Sequence, residues 1–427
     1  MAELHITFSN PPTDGIIHTA DRPIIVEASY AGGGTTPVLI NLQPQLYDNA
    51  SATWLNTGQP LVQARDKDLN GSGFEVFTFD VSGFCRSYCL KYFDQNASSD
   101  RKPVFKSDKY IVEFRFVATK WVSNDGVLEH HDPSGSSVTS LEYKVIDATI
   151  DDFITIDDNN ENLSGDNVKF MVQSDTTGWS RPSNCPGNLE RRFDQNQKVW
   201  TGILLGNHDP GSLSHRFSIP YTAGVGSLSV VEAISSVAVN SFYATSLSKD
   251  AINEGSILSG SALFGNSIPD DLAFTTSFNI SPELIGDQRW RMLKGMRHRT
   301  TTPIYWINDY NFIDFYNFEG FRFEEENSEK NHFFRKKTNF TNSMESNFGT
   351  AKGTTVVGGT VGSKGVSKEG AEWLSEIGRS TEVYIYDLET FNYIPILIDE
   401  LNVVTLNDSG LLSVEVSYIK STKSRVG

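Results

Sequence analysis

The sequence predicts a mainly β, multidomain protein: antiparallel β-sandwich-like domains, a few short helices and a small C-terminal α+β module. Three observations point there. A chain of 427 residues exceeds what one ordinary hydrophobic core organises, at roughly 150 residues per domain. Apolar residues make up 38% and charged residues 21% of it. Thr, Ser and Asn fill many positions where a helical protein carries Ala, Leu, Glu and Lys, a bias toward strands and turns. The apolar residues also fall in short alternating runs bounded by turn clusters.

Residues 1–146 hold the runs Pro23-Ile-Ile-Val-Glu-Ala-Ser29, Val38-Leu-Ile-Asn-Leu42, Gly73-Phe-Glu-Val-Phe-Thr-Phe79 and Tyr110-Ile-Val-Glu-Phe-Arg-Phe-Val-Ala118. Strands of this length and spacing predict an N-terminal sandwich. A short helix interrupts it where Phe79-Asp-Val-Ser82 offers Asp80 or Ser82 as N-cap, with Phe84, Tyr88, Cys85 and Cys89 on one apolar face. Residues 147–168 are acidic and Asn-rich and read as a linker. Within them Asp157-Asp-Asn-Asn-Glu-Asn162 lacks the Asp-x-Asp-x-Asp-Gly order and the distal Glu of a calcium loop, so a solvated connection is expected.

Residues 169–300 read as a middle β domain, in which helix and strand compete over Val225–Val239. Residues 301–346 form an aromatic hairpin region, with strands expected at Ile304–Ile307 and Ile313–Phe323 about an Asn-Asp-Tyr-Asn turn. Its aromatic residues alternate closely enough to cover both faces, one packing inward and the other meeting a neighbouring domain or subunit. Residues 347–366 are rich in Gly and Thr and predict a flexible arm or an extended ribbon resting on a partner.

The closing block, 367–427, predicts a helix-plus-sheet docking module. Ser367 is the expected N-cap, Glu369 and Glu372 suit the helix N-terminus, Ala371, Trp373, Leu374 and Ile377 form one apolar side, and Gly378 stands at C′. Strands are expected at Glu382–Asp387, Tyr393–Ile398, Leu401–Leu406 and Leu411–Ile419. Pro395 marks an edge or a bulge.

A formal charge of −17 argues against a surface built to neutralise phosphates, and the basic runs Arg289–Arg299 and Phe334–Lys337 read as solvated faces or partner contacts. Nucleic acid is therefore not an expected partner. Met1–Phe8 carries no basic stretch followed by an apolar one, so no signal peptide is expected. No apolar run approaches the length needed to span a bilayer, so no membrane insertion is expected either. The three cysteines, Cys85, Cys89 and Cys185, suggest buried, inert thiols rather than a disulfide framework or a metal site.

Motifs with chemical content are incomplete. Ile203-Leu-Leu-Gly-Asn-His-Asp209 resembles one element of a binuclear metallophosphoesterase, but the upstream Asp-x-His and downstream Gly-His-x-His are missing. His130-His131-Asp132 runs into an Asp-Pro-Ser-Gly turn, Ser212-Leu-Ser-His215 lacks a nucleophile elbow, and Gly224–Ser229 lacks a P-loop lysine. Carboxylates such as Glu324-Glu-Glu326 select no glycosidase pair. The reading is therefore not an enzyme, with no catalytic residue, cofactor or metal ligand named and glycan hydrolysis a remote alternative.

Three stretches together resemble a known class: Phe74–Tyr88, Arg299–Phe318 and Trp373–Tyr418. In order along the chain they are similar to large tail-associated structural virion proteins of bacteriophages, particularly those infecting Bacteroidota. The resemblance covers about a fifth of the chain, is poor over 150–290, and brings no catalytic residues. It implies a component of the tail or distal adsorption apparatus, made in the host cytoplasm and carried in the virion. The implied partners are other copies in a symmetric ring and neighbouring tail proteins. The alternative is a receptor- or carbohydrate-binding module at the tail tip, with a host surface receptor as partner. On either view Trp306, Tyr310, Phe312, Phe315, Tyr316, Trp373, Tyr384 and Tyr386 are the expected interface residues.

Overall fold

The structure, a computed structural model, describes residues 6–8, 17–20, 23–31, 38–65, 74–89, 105–106, 110–124, 127–130, 137–148, 179–180, 183–195, 197–205, 213–219, 228–234, 241–247, 271–280, 283–293, 301–319, 322–329, 332–334, 348–350, 354–406 and 410–420. It is mainly β, with several antiparallel sheets and a few short helices. Of the predicted linker, only Asp147 and Ala148 fall within these residues.

The N-terminal part is a sandwich. Ile6–Phe8, Ile25–Ala31 and Phe74–Asp80 form a three-stranded sheet, facing an eight-stranded one built around Val38–Asp48 and Val112–Asn124. Val26, Ala28, Phe77 and Phe79 from the first share a core with Ile40, Leu42, Phe114, Phe116 and Ala118 from the second. The alternation in sequence is thus the alternation of faces. Helix α1, Ser82–Arg86, closes one end. The residue at its N-cap position is Val81, whose side chain caps nothing, while Asp80 accepts from Ser82 N at 3.0 Å. Cys85 and Cys89 are buried and unpaired. Burial raises both thiols, Cys89 to about 12, so neither is a nucleophile at neutral pH.

Two sheets make the middle region. Trp179–Ser180, Val199–Leu205 and Ser241–Leu247 form one together with Phe105–Lys106, a strand contributed from the N-terminal part. Glu190–Asp194 lies parallel to Glu283–Leu293 at the edge of the other, which continues through Asp271–Ile280 and Leu213–Ile219 to Leu228–Ile234. The competition over Val225–Val239 is settled for 228–234 as strand, in full register with Leu213–Ile219. The flanking residues of that run lie outside the described set.

The C-terminal part departs most from expectation. Segments read as a hairpin, an arm and a docking module contribute to one seven-stranded antiparallel sheet. Its order is Ile313–Phe318, Thr302–Ile307, Val383–Asp387, Asn392–Leu406, Leu411–Lys420, Thr354–Val366 and Arg322–Glu329. The expected arm is therefore, over 354–366, an interior strand paired on both sides. A Cβ on Gly358 would stand 3.1 Å from the Tyr418 carbonyl oxygen, a tight contact that glycine avoids where the two strands approach.

Other boundaries move for local reasons. The expected long second strand of the hairpin stops at Phe318, and Arg322 begins a separate strand. Tyr393–Ile398 and Leu401–Leu406 are one strand with a register shift between Ile398 and Glu400. Pro395 pairs only with Tyr384, on a stretch where no second strand joins among the described residues, as its missing N–H requires. The helix is broken: α2, Lys368–Leu374, is capped by Ser367 Oγ accepting from Gly370 N at 3.1 Å, and α3, Glu376–Arg379, follows a break at Ser375. Gly378 lies inside α3 rather than at C′. Left-handed glycines stand instead at Gly365, φ 77°, where the register with Leu411–Lys420 shifts, and at Gly410, φ 68°, just before that strand.

Candidate functional site

The aromatic hairpin turns on Asn308. Its Oδ1 accepts from the backbone N–H groups of Tyr310 at 3.0 Å and Phe312 at 3.1 Å, while Asn311 takes φ 59°, a conformation Asn tolerates. Asn308 Nδ2 then donates to Asp314 Oδ2 at 2.9 Å, tying the turn to the returning strand.

Asp314 is wholly buried, and three further donors converge on it from distant segments. Ser183 Oγ at 2.6 Å and Trp373 Nε1 at 3.1 Å meet Oδ2, and Arg191 Nη2 at 2.9 Å meets Oδ1. A buried carboxylate holds its charge only when so satisfied. Arg191 is itself buried, lying 4.5 Å from the Phe315 ring, 5.1 Å from Trp290 and 5.3 Å from Trp373, and Nη2 also donates to the Phe315 carbonyl at 3.2 Å. One ion pair thus joins the middle region, the hairpin and α2.

Glu376 on α3 stands at the other end of this seam. Its carboxylate accepts from Asn184 Nδ2 and, at 3.5 Å, from Trp306 Nε1, while Tyr310 Oη donates to Asn184 Oδ1 at 3.2 Å. Burial, with the negative charges of Asp314 and Asp309 adding to it, pushes this carboxyl up to about 8. A second polar knot pairs Gln197 with Asn317, which exchange amide hydrogen bonds of 3.1 and 2.9 Å and reach Tyr305 Oη and the Arg192 carbonyl.

Between the edge strands Glu190–Asp194 and Ile313–Phe318 opens a pocket of about 300 Å³, lined by Leu189, Tyr316 and Glu319 among others, with Arg191 and Arg192 both reaching it. Arg192 is half-exposed and pairs with Glu190 at 3.4 Å and Glu319 at 3.0 Å. Glu190 also accepts from Arg291 Nε at 2.8 Å, and Arg291 in turn meets Asp271 at 3.0 Å. The charge of Arg291, part of a basic run in the sequence, is thereby neutralised locally.

The expected interface residues lie elsewhere than at the surface. Trp306, Tyr310, Phe312, Phe315, Trp373 and Tyr386 are buried, and Tyr316 and Tyr384 are partly buried, with Tyr316 Oη bonded to Ser363 and Tyr384 Oη to Glu382. Trp306 and Trp373 pack in the core beneath the helices, whereas Tyr310, Phe312, Phe315 and Tyr386 pack against Phe242, Trp290 and other middle-region side chains. The partner they meet is another part of the same chain. The reason is that Thr302–Ile307 lies inside the sheet with both faces covered, and all its residues are buried. Sequence reasoning missed Arg191, Asp314 and Glu376. A lone Asp within an aromatic strand, Ile313-Asp-Phe-Tyr, was the available signal for a buried, partnered carboxylate.

Of the candidate chemical motifs, His215 is buried on Leu213–Ile219 against Phe278 and His130 ends the strand Val127–His130, whereas Gly206–Asp209, His131, Asp132 and the acidic run Asp157–Asn162 fall outside the described residues. Among the described residues no group of three or more His, Cys, Asp or Glu side chains is arranged to hold a metal, and no helix is long and apolar enough to cross a membrane.

No family model matches the sequence, and no curated protein matches it. Among solved structures, the chain is similar to the CsuC–CsuE chaperone–tip adhesion subunit pre-assembly complex of archaic chaperone-usher Csu pili from Acinetobacter baumannii, at 8% identity and a TM-score of 0.22, covering 69% of this chain and 99% of that one. A marsupial T cell receptor matches at 6% identity and 0.17, over 98% and 94% of the two chains. The CupB6 tip adhesin from Pseudomonas aeruginosa matches at 8% and 0.16, over 68% and 99%. At these scores the likenesses carry no argument about function.

Proposed function

We propose that this chain is a structural protein of a bacteriophage tail, of the tail or distal adsorption-apparatus type, which assembles with copies of itself and with neighbouring tail proteins in the virion. The observation that carries the reading is a pairing. Two of the three stretches behind the resemblance, Arg299–Phe318 and Trp373–Tyr418, form adjacent strands of one sheet, with Ile304 opposite Ile385 and Trp306 opposite Val383. They therefore belong to one folded unit, as parts of a common domain would. The reading is non-enzymatic, in keeping with a polar centre whose Asp314 is spent on structural hydrogen bonds.

Because the aromatic residues are internal, the contact between copies is placed on exposed apolar side chains of the last hairpin. Leu397 is 69% exposed and Val404 52%, and the register shift between Ile398 and Glu400 leaves both on the same face as Leu411 of the partner strand. Native mass measurement with negative-stain imaging of the purified chain tests the proposal. A closed ring that Leu397→Lys disperses is expected, and a monodisperse monomer overturns the ring.

A further inference from the structure

We propose that residues 183–189 form a pH-sensitive strap, closed over Glu376 while that carboxyl is protonated and lifted toward solvent when it ionises. The inference is independent of the tail assignment. From Ser183 to Leu189 the chain runs outside helix and strand, until Glu190–Asp194 begins. Its amides bond locally, Cys185 N to Ser183 Oγ at 3.2 Å and Leu189 N to the Pro186 carbonyl at 3.0 Å. Side chains therefore hold it down. Ser183 Oγ donates to Asp314 Oδ2 at 2.6 Å, Asn184 Nδ2 donates to Glu376 Oε1, and Tyr310 Oη donates to Asn184 Oδ1 at 3.2 Å. Cys185 is buried with Trp373, Leu374 and Ile377 in the core beneath α2 and α3. The strap is thus fastened through two buried carboxylates, with Asn184 as the link between the hairpin turn and α3.

The groups around Glu376 decide which protonation state closes the strap. Glu376 is 2% exposed, and Asp314 on the returning strand and Asp309 in the turn both place negative charge near it. The nearby cations are engaged with those two, Arg191 at 2.9 Å from Asp314 and Arg379, on α3 itself, at 2.6 Å from Asp309. The strap contributes no charged residue. Burial raises the hydroxyls of Tyr310 and of Tyr110, which donates to the Tyr310 carbonyl, so both stay neutral. An ionised Glu376 is accordingly dry and repelled from two sides, a cost that its bonds from Asn184 and Trp306 offset only in part. Protonated, it still offers Oε1 to Asn184. Water relieves the charge, and the strap is the cover with no ladder to break, whereas α3 is anchored by the wholly buried Ile377 and by Arg379. Closed, the carboxyl titrates near 8; open to solvent, it titrates in the usual carboxylate range. Opening therefore grows about tenfold per pH unit from roughly pH 5 to roughly pH 7.5 and levels above it.

Hydrogen–deuterium exchange of the full chain, read by mass spectrometry from about pH 5 to about pH 9 and corrected for the intrinsic rate, tests this. Peptides covering Cys185 and Leu189 should lose protection by roughly tenfold per pH unit up to about 7.5, while peptides from Val112–Ala118 hold theirs. Glu376→Gln should keep the strap closed throughout. Asn184→Ala should loosen it already at about pH 5, where Glu376 is neutral, and so reports even where Glu376→Gln perturbs the fold. Labelling of Cys185, compared between the native chain and Glu376→Gln at each pH so that thiol ionisation cancels, should be the faster in the native chain, with Cys85 and Cys89 labelling alike in both. Matching pH profiles in the native chain and Glu376→Gln, or native protection in Asn184→Ala, overturn the strap. Protection lost uniformly along the chain overturns it in favour of global unfolding, and protection lost from Glu376–Arg379 while 183–189 stay closed overturns it in favour of movement of α3.

Discussion

Trp373 Nε1 donates to Asp314 Oδ2 at 3.1 Å, linking residues 59 apart in the chain. A helix packed over the last sheet and a strand at that sheet's edge are thus joined through one carboxylate. The same carboxylate neutralises Arg191, so the bond organises charge as well as shape.

Removing Asp314 should be among the most damaging single changes in this part of the protein. Asp314→Ala leaves Arg191 buried without its counterion, a situation that costs about 3–5 kcal/mol. Trp373→Phe deletes one neutral donor and should cost nearer 1–2 kcal/mol. Denaturant unfolding followed by tryptophan fluorescence ranks the two. Adding Arg191→Met to Asp314→Leu should recover much of the loss, because an apolar pair of similar volume carries no desolvated charge.

Glu376 should make stability fall as pH rises. Its folded carboxyl titrates near 8 against 4.5 in the unfolded chain. Below about pH 4.5 it is protonated in both states. Between 4.5 and 8 the unfolded chain ionises while the folded one stays neutral, so stability declines, by on the order of 5 kcal/mol at most, and then levels. Melting temperatures across this range should drop more steeply for the native chain than for Glu376→Gln. The variant should be the more stable at pH 8, and parallel pH profiles would refute the account.

Gly365 should resist replacement. Its φ of 77° lies where Cβ-bearing residues are strained, although Leu411 Cδ1 at 3.9 Å leaves ordinary space for a methyl group. Gly365→Ala is expected to cost about 1 kcal/mol through backbone strain alone. Gly83→Ala, which meets no neighbouring atom and has no positive φ, is the matched control.

The cysteines of the N-terminal core should label slowly. Cys85 and Cys89 are buried with raised thiols, so a thiol-reactive chromophore should modify them only as the sandwich opens. Labelling kinetics in increasing denaturant should follow unfolding of that core. Rapid modification in native buffer would contradict the burial.

Deleting Ser367–Gly427 does not isolate a docking function, because the deletion removes three adjacent strands of a seven-stranded sheet. Ile304, Trp306 and Val361 would lose Trp373, Ile385, Val414 and Val416 from their shared core. Such a chain should be recovered as insoluble or partly unfolded protein in a solubility and circular-dichroism assay. A soluble, fully folded truncation would show that the C-terminal strands are dispensable.

Much of the fold was legible because local patterns carry it. Alternation in Val112–Ala118 marked a strand with one buried face, Asn308 marked the hairpin turn, and Ser367 marked a helix start. Less could be read where a residue's role depends on remote partners. Trp306 in isolation is as suited to a subunit surface as to a core, and only its position between two covered faces decides. Asp314 gave one weak sign, and Arg191 and Glu376 gave none, since ordinary charged residues become a buried network only when distant segments converge.

By itself, the sequence determined the mainly β class, the N-terminal sandwich, the aromatic hairpin and the terminal helix, because side-chain periodicity, capping and turn chemistry act over a few neighbouring residues. Tertiary structure alone decided that the Gly/Thr segment is an interior strand, that the aromatic residues face inward, and that Arg191, Asp314 and Glu376 share one buried seam. Strand order and charge burial are set by contacts between residues far apart in the chain. Local pattern does not encode that convergence.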